Sequence, residues 1–335
     1  MENIIFYNVK ESPFEIFGLY EPLTYGKFCR IPEDVALATG PRVAELYSNT
    51  AGGRIRFKTN SDILVIRYKG SSALTFHTTP GMRHGFDVYI DDPKGSVFMG
   101  LTKPEPFSSS NYETAINLGG GDKELTVNMP LYGNVYELQI GLREGATVAE
   151  HTPYKHNTPI VFYGSSITQG ACASRPGRSY EAIISRKYDV NYRNLGFSGA
   201  CCAEDSIVDY LASLEMSAFV SDYDHNAPSL EHLKNTHHRL YEKIRENHPD
   251  IPYFMITRPD FLYTNDSQDR RAAIMESYLE AYNSGDRNVY FIDGSAFFNG
   301  APISDLTLDR CHPNDEGFGR MAAYIGDVIA NVMGL

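Results

Sequence analysis

The chain has 335 residues and a formal net charge of −12. This length favours two domains, because one domain commonly holds about 100–200 residues. Hydrophobic residues make up 42% and charged residues 21% of the chain, which is typical of a globular protein and excludes a disordered one. The acidic excess disfavours nucleic acid and anionic membrane surfaces as partners, since their phosphates require clustered Lys and Arg.

Targeting and cofactor signals are missing from the sequence. No apolar run reaches the roughly 18 residues that span a bilayer, and residues 1–10 lack the basic and apolar regions of a secretory signal. The five cysteines have no disulfide-framework spacing: Cys29, Cys172, Cys201, Cys202 and Cys311. We therefore expect a cytoplasmic protein with reduced, structural thiols. Without C-x-x-C or H-E-x-x-H patterns we expect no metal and no organic cofactor, and a symmetric homodimer is the default assembly.

Residues 1–155 are dominated by short β-forming runs between turn residues. The predicted strands are Arg54–Lys58, Ile63–Lys69, Gly85–Ile90, Glu124–Asn128 and Val135–Leu142. The predicted turns are Asn60-Ser61-Asp62, Asp91-Asp92-Pro93 and Gly119-Gly120-Gly121. No helical periodicity is convincing in the first 150 residues, so this part is predicted to be an all-β sandwich or jelly roll.

Residues 156–335 alternate between strands and helices, after a boundary within His151–Thr158. The predicted strands are Pro159–Tyr163, Asn191–Leu195, Ala218–Ser221, Tyr253–Thr257 and Val289–Ile292. The predicted helices are Ser179–Tyr188, Asp205–Leu214, Ser229–Asn247 (with Ser229 as N-cap), Ser267–Tyr282 and Asp315–Val332. This alternation predicts a second domain with a parallel sheet covered by helices on both faces.

A serine-containing turn follows the first of these strands, at Tyr163-Gly164-Ser165-Ser166-Ile167-Thr168-Gln169-Gly170. A residue just beyond a parallel strand lies at the carboxyl edge of the sheet, where open α/β folds bind ligands. Gly164 allows a tight turn that leaves the Ser166 hydroxyl accessible. The alternative is an ordinary serine-rich loop.

A histidine and a carboxylate precede the last helix, in the stretch Asp309-Arg310-Cys311-His312-Pro313. A serine hydroxyl is a poor nucleophile until a base removes its proton, and histidine suits this role because its pKa is near neutrality. The carboxylate of Asp309 can turn back onto the imidazole of His312 and fix its tautomer. A helix N-terminal turn capped by Asn314 or Asp315 is compatible with this reading.

Two further strand ends carry candidate hydrogen-bond donors. Asn194-Leu195-Gly196-Phe197-Ser198-Gly199 follows one strand, and Ser221-Asp222-Tyr223-Asp224-His225-Asn226 follows the next. A glycine N–H and an asparagine amide can stabilise the oxyanion formed in acyl transfer. The alternative reading is two ordinary loops. Asp222 or Asp224 could line a pocket or be solvated loop carboxylates.

The four blocks in this order resemble the SGNH (GDSL-like) hydrolase superfamily over about residues 158–335. The motif residues that match are Gly164-Ser165-Ser166, Asn194 through Gly199, Asn226, and Asp309 with His312. The resemblance implies a flavodoxin-like three-layer α/β/α domain with Ser166, His312 and Asp309 as catalytic triad. It also implies an oxyanion hole from the Ser166 and Gly199 N–H groups and the Asn226 amide. Ser165 replaces the usual Asp of the first block, so we expect an altered loop and a retained reaction.

A β-sandwich before such a domain resembles the architecture of bacterial carbohydrate esterases. This resemblance implies removal of O-acetyl groups from acetylated oligosaccharides, with a small-molecule or oligosaccharide ester as substrate. The alternatives are a lipase- or thioesterase-type acylhydrolase and a catalytically silent carbohydrate-binding protein. Candidate substrate contacts are Arg258, Asp224 and Arg178, with Arg175 and Tyr180 as weaker candidates. For Arg258 a surface ion pair is the alternative.

Overall fold

A computed structural model of the chain describes residues 3–73, 76–92, 94–103, 110–259 and 266–335. Residues 3–149, here called the β half, contain two antiparallel sheets. Residues 156–335, here called the α/β half, contain one parallel sheet of five strands. This is the fold class expected from the sequence.

The β half is built mainly of short strands. They are β1 (Ile4–Asn8), β2 (Glu15–Phe17), β3 (Arg54–Thr59), β4 (Ile63–Ser71), β5 (Asp87–Asp91), β6 (Val97–Leu101), β7 (Asn111–Asn117), β8 (Lys123–Asn128), β9 (Asn134–Arg143) and β10 (Val148–Ala149). One sheet has the order β1-β9-β4-β7, and the other has β10-β3-β8-β5-β6 with β2 beside β3. Side chains of both sheets, such as Phe57 of β3 and Ile66 of β4, meet in one core. This sandwich follows from the period-two alternation along the strands.

The α/β half has a doubly wound architecture. Its strands are β11 (His156–Gly164), β12 (Val190–Gly196), β13 (Ala218–Asp222), β14 (Tyr253–Ile256) and β15 (Val289–Ile292), in the order β12-β11-β13-β14-β15. Its helices are α4 (Ser166–Gln169), α5 (Tyr180–Tyr188), α6 (Asp205–Ser213), α7 (Leu230–Asn247), α8 (Ser267–Asn283), α9 (Ile303–Leu306) and α10 (Asp315–Met333). This strand order is flavodoxin-like, so ligands are expected at the carboxyl edge.

Alternating side chains of β11 divide the α/β core into two layers. Val161 and Tyr163 pack against the layer that contains α6, α7 and α8. Ile160 and Phe162 pack against the layer of α4, α5 and α10. The continuous apolar run of a strand buried on both faces explains why this strand was recognisable from the sequence.

Among its described residues, the β half also contains three short helices, contrary to the sequence expectation. They are α1 (Glu33–Thr39), α2 (Pro41–Leu46) and α3 (Pro80–His84). Two turns or fewer are too short to show a helical period. The apolar residues of α1 and α2, including Ala36, Val43 and Leu46, join the core layer of α6 and α7. Helices α1 and α2 therefore lie within the β half of the sequence but pack into the core of the α/β half.

Two helices begin at the capping residues that the sequence indicated, and one predicted turn is only partly described. Ser229 caps α7 as expected, accepting from the N–H of His232 at 3.0 Å. Asn314 caps α10 and accepts from two N–H groups at 3.0 Å. The predicted turn at residues 91–93 is only partly visible, because Asp91 ends β5 and Pro93 lies outside the described residues.

All five cysteines are free thiols. Burial raises the pKa of Cys172 to about 12 and that of Cys311 to about 11. These two thiols therefore stay protonated near neutral pH and have little nucleophilic character. No helix within the described ranges is long and apolar enough to cross a bilayer.

Candidate active site

Three side chains predicted from distant parts of the sequence meet at the carboxyl edge of the parallel sheet. The Ser166 Oγ lies 2.9 Å from His312 Nε2. The His312 Nδ1 lies 2.8 Å from Asp309 Oδ2. Each distance is that of a hydrogen bond, so the imidazole is placed between a hydroxyl and a carboxylate. This is the arrangement in which histidine can take a proton from serine.

The serine position is set by the turn from β11 into α4. Ser165 caps α4 by accepting from the N–H of Ile167 at 3.2 Å, so the replacement of the family Asp leaves a capped helix. Ser166 is the first residue of α4, and its N–H therefore has no carbonyl partner within that helix. A Cβ on Gly164 would lie 2.0 Å from Thr168 Oγ1, so only glycine permits this close turn.

Local hydrogen bonds and burial determine the protonation states of Asp309 and His312. Asp309 Oδ1 accepts from the backbone N–H groups of Cys311 at 3.0 Å and His312 at 2.8 Å. Burial alone would raise the pKa of Asp309, but the hydrogen bonds from His312 outweigh it and hold that pKa well below its usual range. Burial lowers the pKa of His312, with Asp309 opposing the shift. Together these shifts favour an ionised carboxylate beside a neutral base.

The candidate oxyanion residues lie on two connected loops. Gly199 is exposed with φ of 72°, and open space surrounds the position where a Cβ would stand. The Oδ1 of Asn226 accepts from Cys201 N at 3.3 Å, which links the second block to the third. The N–H of Ser198 donates to Gln169 Oε1 at 2.9 Å and so ties the glycine loop to α4. Within the described part of the chain, Asn226 Nδ2 has no hydrogen-bond partner and remains available as a donor.

A second histidine, which no sequence motif indicated, joins this site. The Nε2 of His77, from the β half, lies 2.9 Å from Asp309 Oδ2. Its ring lies 4.2 Å from the ring of His312, centroid to centroid. No motif surrounds His77 in the sequence, and it is separated from Asp309 by 232 residues. Only the packing of the two halves could reveal it.

The candidate substrate residues Asp224 and Arg258 form an ion pair. Arg258 Nε lies 3.2 Å from Asp224 Oδ2, and Arg270 Nη1 lies 3.4 Å from Asp224 Oδ1. The Asp224 side chain is fully buried, and that of Arg258 is 10% exposed. Asp224 is therefore not a solvated loop carboxylate, and the pair is not on the surface. The ion pair stabilises the turn that carries Asn226.

The remaining candidates also contact protein groups. Arg178 lies against Asp315, with Nε 3.4 Å from Oδ2. Arg175 pairs with Asp87 of the β half at 3.3 Å. Tyr180 is fully buried and donates its hydroxyl to Asp222 Oδ2 at 3.1 Å. These contacts leave a substrate role for Arg178 as a prediction and argue against one for Tyr180.

The carboxylate of Asp222 is likewise not solvated, contrary to the simpler sequence expectation. It is buried beneath the nucleophile turn and accepts from Thr168 Oγ1 at 3.1 Å. Burial raises the pKa of Asp222 to about 7. A carboxyl group so far from water is partly protonated near neutral pH.

Two other features of the structure could bind ligands: a group of possible metal ligands and a separate cleft. His77, Asp309 and His312 offer three possible metal-ligand atoms within 4.8 Å of one another, and a cation there would compete with the hydrogen bonds that align them. A cleft of about 1270 Å³ lies elsewhere, between the outer face of the β3 sheet and α5, lined by residues such as Arg56 and Tyr154. That cleft contains none of the three aligned side chains.

Comparison with known proteins agrees with the class that the fold and site define: this protein is a carboxylic ester hydrolase. The chain belongs to the GDSL-like lipase/acylhydrolase family, whose sequence profile matches residues 157–330. A second profile, the N-terminus of the SGNH-hydrolase-type esterases, matches residues 4–148. No curated protein sequence matches the chain.

Several solved structures share this fold. A protein from Bacteroides ovatus ATCC 8483 described as a GDSL-like lipase has 29% identity and a TM-score of 0.87, covering 99% of this chain and 98% of that one. The salicylyl-acyltransferase SsfX3 from a tetracycline biosynthetic pathway has 20% identity, a TM-score of 0.78 and the same coverage. The acetyl xylan esterase Est2A from the rumen bacterium Butyrivibrio proteoclasticus has 12% identity, a TM-score of 0.61 and 99% coverage of both chains. The last two similarities concern the fold alone.

Proposed function

We propose that this protein is a serine esterase that removes O-acetyl groups from acetylated oligosaccharides through an acyl-enzyme on Ser166. The observation that carries the proposal is the continuous hydrogen-bonded line from Ser166 through His312 to Asp309, at 2.9 and 2.8 Å. A nucleophile, a base and a carboxylate that orients the base are the three parts of a serine catalytic triad for acyl transfer.

The reaction proceeds in two halves. His312 Nε2 takes the Ser166 proton as Oγ attacks the acetyl carbonyl, and the resulting oxyanion is held by the Ser166 and Gly199 N–H groups and the Asn226 amide. The bond between the acetyl carbonyl carbon and the sugar oxygen then breaks, and the imidazolium of His312 gives its proton to the leaving alcohol. Water, deprotonated by His312, attacks the acetyl group in turn and releases acetate and free Ser166.

An exposed aromatic ring supports a saccharide substrate. Phe76 is 78% exposed and adjoins His77 at the edge of the site, with ring centroids 5.3 Å apart. Exposed aromatic faces suit the apolar face of a pyranose ring. The fold shared with an acetyl xylan esterase agrees with this substrate class, as does the net charge of −12, which fits an uncharged ester.

A second candidate is an acylhydrolase or acyltransferase for larger acyl groups. Leu308, next to Asp309, is 57% exposed, and together with Phe76 it places apolar surface beside the candidate triad. The fold shared with a salicylyl-acyltransferase is consistent with this candidate. A series of 4-nitrophenyl esters from C2 to C12 separates the two: preference for C8 or longer would remove the acetylesterase proposal.

The nucleophile is tested with Ser166→Ala. We expect turnover of 4-nitrophenyl acetate to fall by about 10⁴-fold or more with the fold intact, and fluorophosphonate labelling to disappear. Ser213→Ala is the matched control, since Ser213 is exposed at the end of α6. Parental turnover in Ser166→Ala would overturn the assignment, and an unlabelled parent would favour a silent binding protein. Acetate release from acetylated mannan, xylan and pectin oligosaccharides then identifies the sugar.

A further inference from the structure

His77 brings a group from the β half into direct contact with the candidate triad. Its Nε2 lies 2.9 Å from Asp309 Oδ2, the same oxygen that accepts from His312 Nδ1 at 2.8 Å. The planes of the two imidazole rings are inclined by 45° with centroids 4.2 Å apart. The oxygen that orients the base therefore receives N–H donors from both halves of the molecule.

The segment that carries His77 is fixed against the loop after the nucleophile. The carbonyl of His77 accepts from the N–H of Cys172 at 3.1 Å. Thr79 caps α3 by accepting from the N–H of Met82 at 3.2 Å, and its hydroxyl donates to the carbonyl of Ser174 at 3.4 Å. The ring of Phe76 packs edge-on against His77. The contact with Asp309 is thus part of a packed interface between the halves.

We propose that His77 is a positioning residue, which orients the Asp309 carboxylate and weakens its hold on the His312 proton. This inference rests on the proposed ester hydrolysis. A carboxylate oxygen that accepts from two N–H groups shares its negative charge between them, so each receives less stabilisation than it would alone. The imidazolium formed at His312 is then more ready to give its proton to the leaving alcohol.

The surroundings of the Asp309–His312 pair leave His77 as the group best placed to act on it. The titratable or charged groups near the pair are His77, His225, Arg258, Cys172 and Cys311. Burial lowers the pKa of His225 to about 3, so that ring is neutral, and the two thiols stay protonated. Arg258 is already paired with Asp224.

Two variants of similar size separate the hydrogen bond from simple packing. His77→Leu fills the space without a donor, and His77→Gln retains an N–H donor. We expect kcat for 4-nitrophenyl acetate to fall about 10- to 100-fold in His77→Leu, with KM within about twofold. The Asp309–His312 pair then stays hydrogen-bonded but loses a donor that fixes its orientation toward Ser166, and misplacing a catalytic group by about 1 Å costs up to about 10²-fold. His77→Gln should recover kcat to within about threefold of the parent.

The pH profile gives a readout that a merely structural role would not move. Without the His77 donor, Asp309 binds the His312 N–H more strongly and stabilises the imidazolium. The pKa of His312 then rises, and because the neutral ring is the active base, the acid limb of kcat/KM moves to higher pH in His77→Leu. The limb should return toward the parental position in His77→Gln.

The matched control is His248→Gln, since His248 lies beyond the end of α7, where its Nε2 donates to the carbonyl of Ala212 at 3.0 Å. Its kcat and pH profile should equal those of the parent. Parental kcat and acid limb in His77→Leu, or equal losses in His77→Leu and His77→Gln, would overturn the role of His77. A parent that neither hydrolyses the ester nor is labelled at Ser166 would instead overturn the proposed function.

Discussion

The two halves of this molecule differ in how they carry chemistry. In the α/β half, every candidate triad and oxyanion residue follows a strand or precedes a helix, within a short recognisable motif. In the β half, the residues that reach the site stand alone in the sequence. His77 contacts Asp309, and the hydroxyl of Tyr132 donates to the carbonyl of Ser166 at 3.3 Å. Sequence motifs therefore identify the site residues of the α/β half, whereas those of the β half are identified only by how the two halves pack together.

A buried arginine of the β half also supports a loop of the candidate site. Arg30 is fully buried and donates from Nε to Asn49 O at 2.9 Å and from Nη2 to Leu46 O at 2.8 Å. Its Nη1 donates to the carbonyl of Gly196, at the end of β12. The loop that leads to Gly199 is thus supported by a side chain from the β half. The β half acts as a structural support for the candidate catalytic loops.

After the loss of the Ser166 nucleophile, the largest expected effect lies in the α/β half, at Asn226. In Asn226→Asp the Oδ1 acceptor for Cys201 N is kept while the Nδ2 donor is lost. We expect kcat to fall about 10²- to 10³-fold, the range for removing one oxyanion donor. The measurement is kcat for 4-nitrophenyl acetate, with thermal melting as a check of folding.

Asn283→Ala is the control for Asn226, because Asn283 is exposed at the end of α8 and should have no effect on kcat. An unchanged kcat in Asn226→Asp would show that the third block contributes no oxyanion donor. The backbone N–H groups of Ser166 and Gly199 would then be the remaining candidate oxyanion donors.

The next effect lies in the β half, at Arg30. Replacing it in Arg30→Met leaves several buried carbonyl groups without a donor, so we expect the free energy of unfolding to fall by about 3 kcal/mol. Urea denaturation measures this change. Arg67→Met is the control, since Arg67 is an exposed partner of Glu113 and should change stability by less than about 0.5 kcal/mol. Similar small losses in both variants would contradict a supporting role for Arg30.

The smallest effect concerns Asp222, whose pKa burial raises to about 7. Below its pKa in the unfolded chain, Asp222 is protonated in both states; as pH rises toward 7, only the folded state retains the proton. Stability from this group is therefore lost as pH rises, by about 2 kcal/mol between pH 5 and pH 7. Asp222→Asn cannot ionise, so it should gain stability relative to the parent over that range.

Melting temperatures of the parent and Asp222→Asn between pH 4 and pH 8 measure this difference. Asp327→Asn provides a control of opposite sign, because hydrogen bonding from Lys187 lowers the pKa of exposed Asp327. The advantage of an ionised Asp327 is lost as pH falls. A constant difference between the parent and Asp222→Asn would show that the folded state does not raise the pKa of Asp222.

The sequence was most informative where periodicity was long or chemistry was local. It predicted the strand Val289–Ile292 with its observed bounds, and helix α7 together with its Ser229 cap. It missed α1 and α2, because helices of seven and six residues show no period. It left open whether Asp222 and Asp224 line a pocket or are solvated, since burial at a strand end depends on packing against distant segments and not on local sequence.

By itself, the sequence determined the order of the strands and long helices of the α/β half. It also determined the positions of Ser166, Asp309, His312, Gly199 and Asn226 on their loops, because these depend on neighbours within a few residues. Only the tertiary structure decided what surrounds them. Contacts such as His77 to Asp309, across 232 residues, or Arg30 to Gly196, across 166, arise when separate surfaces pack together. No local pattern records them, because packing brings together residues with no fixed spacing along the chain.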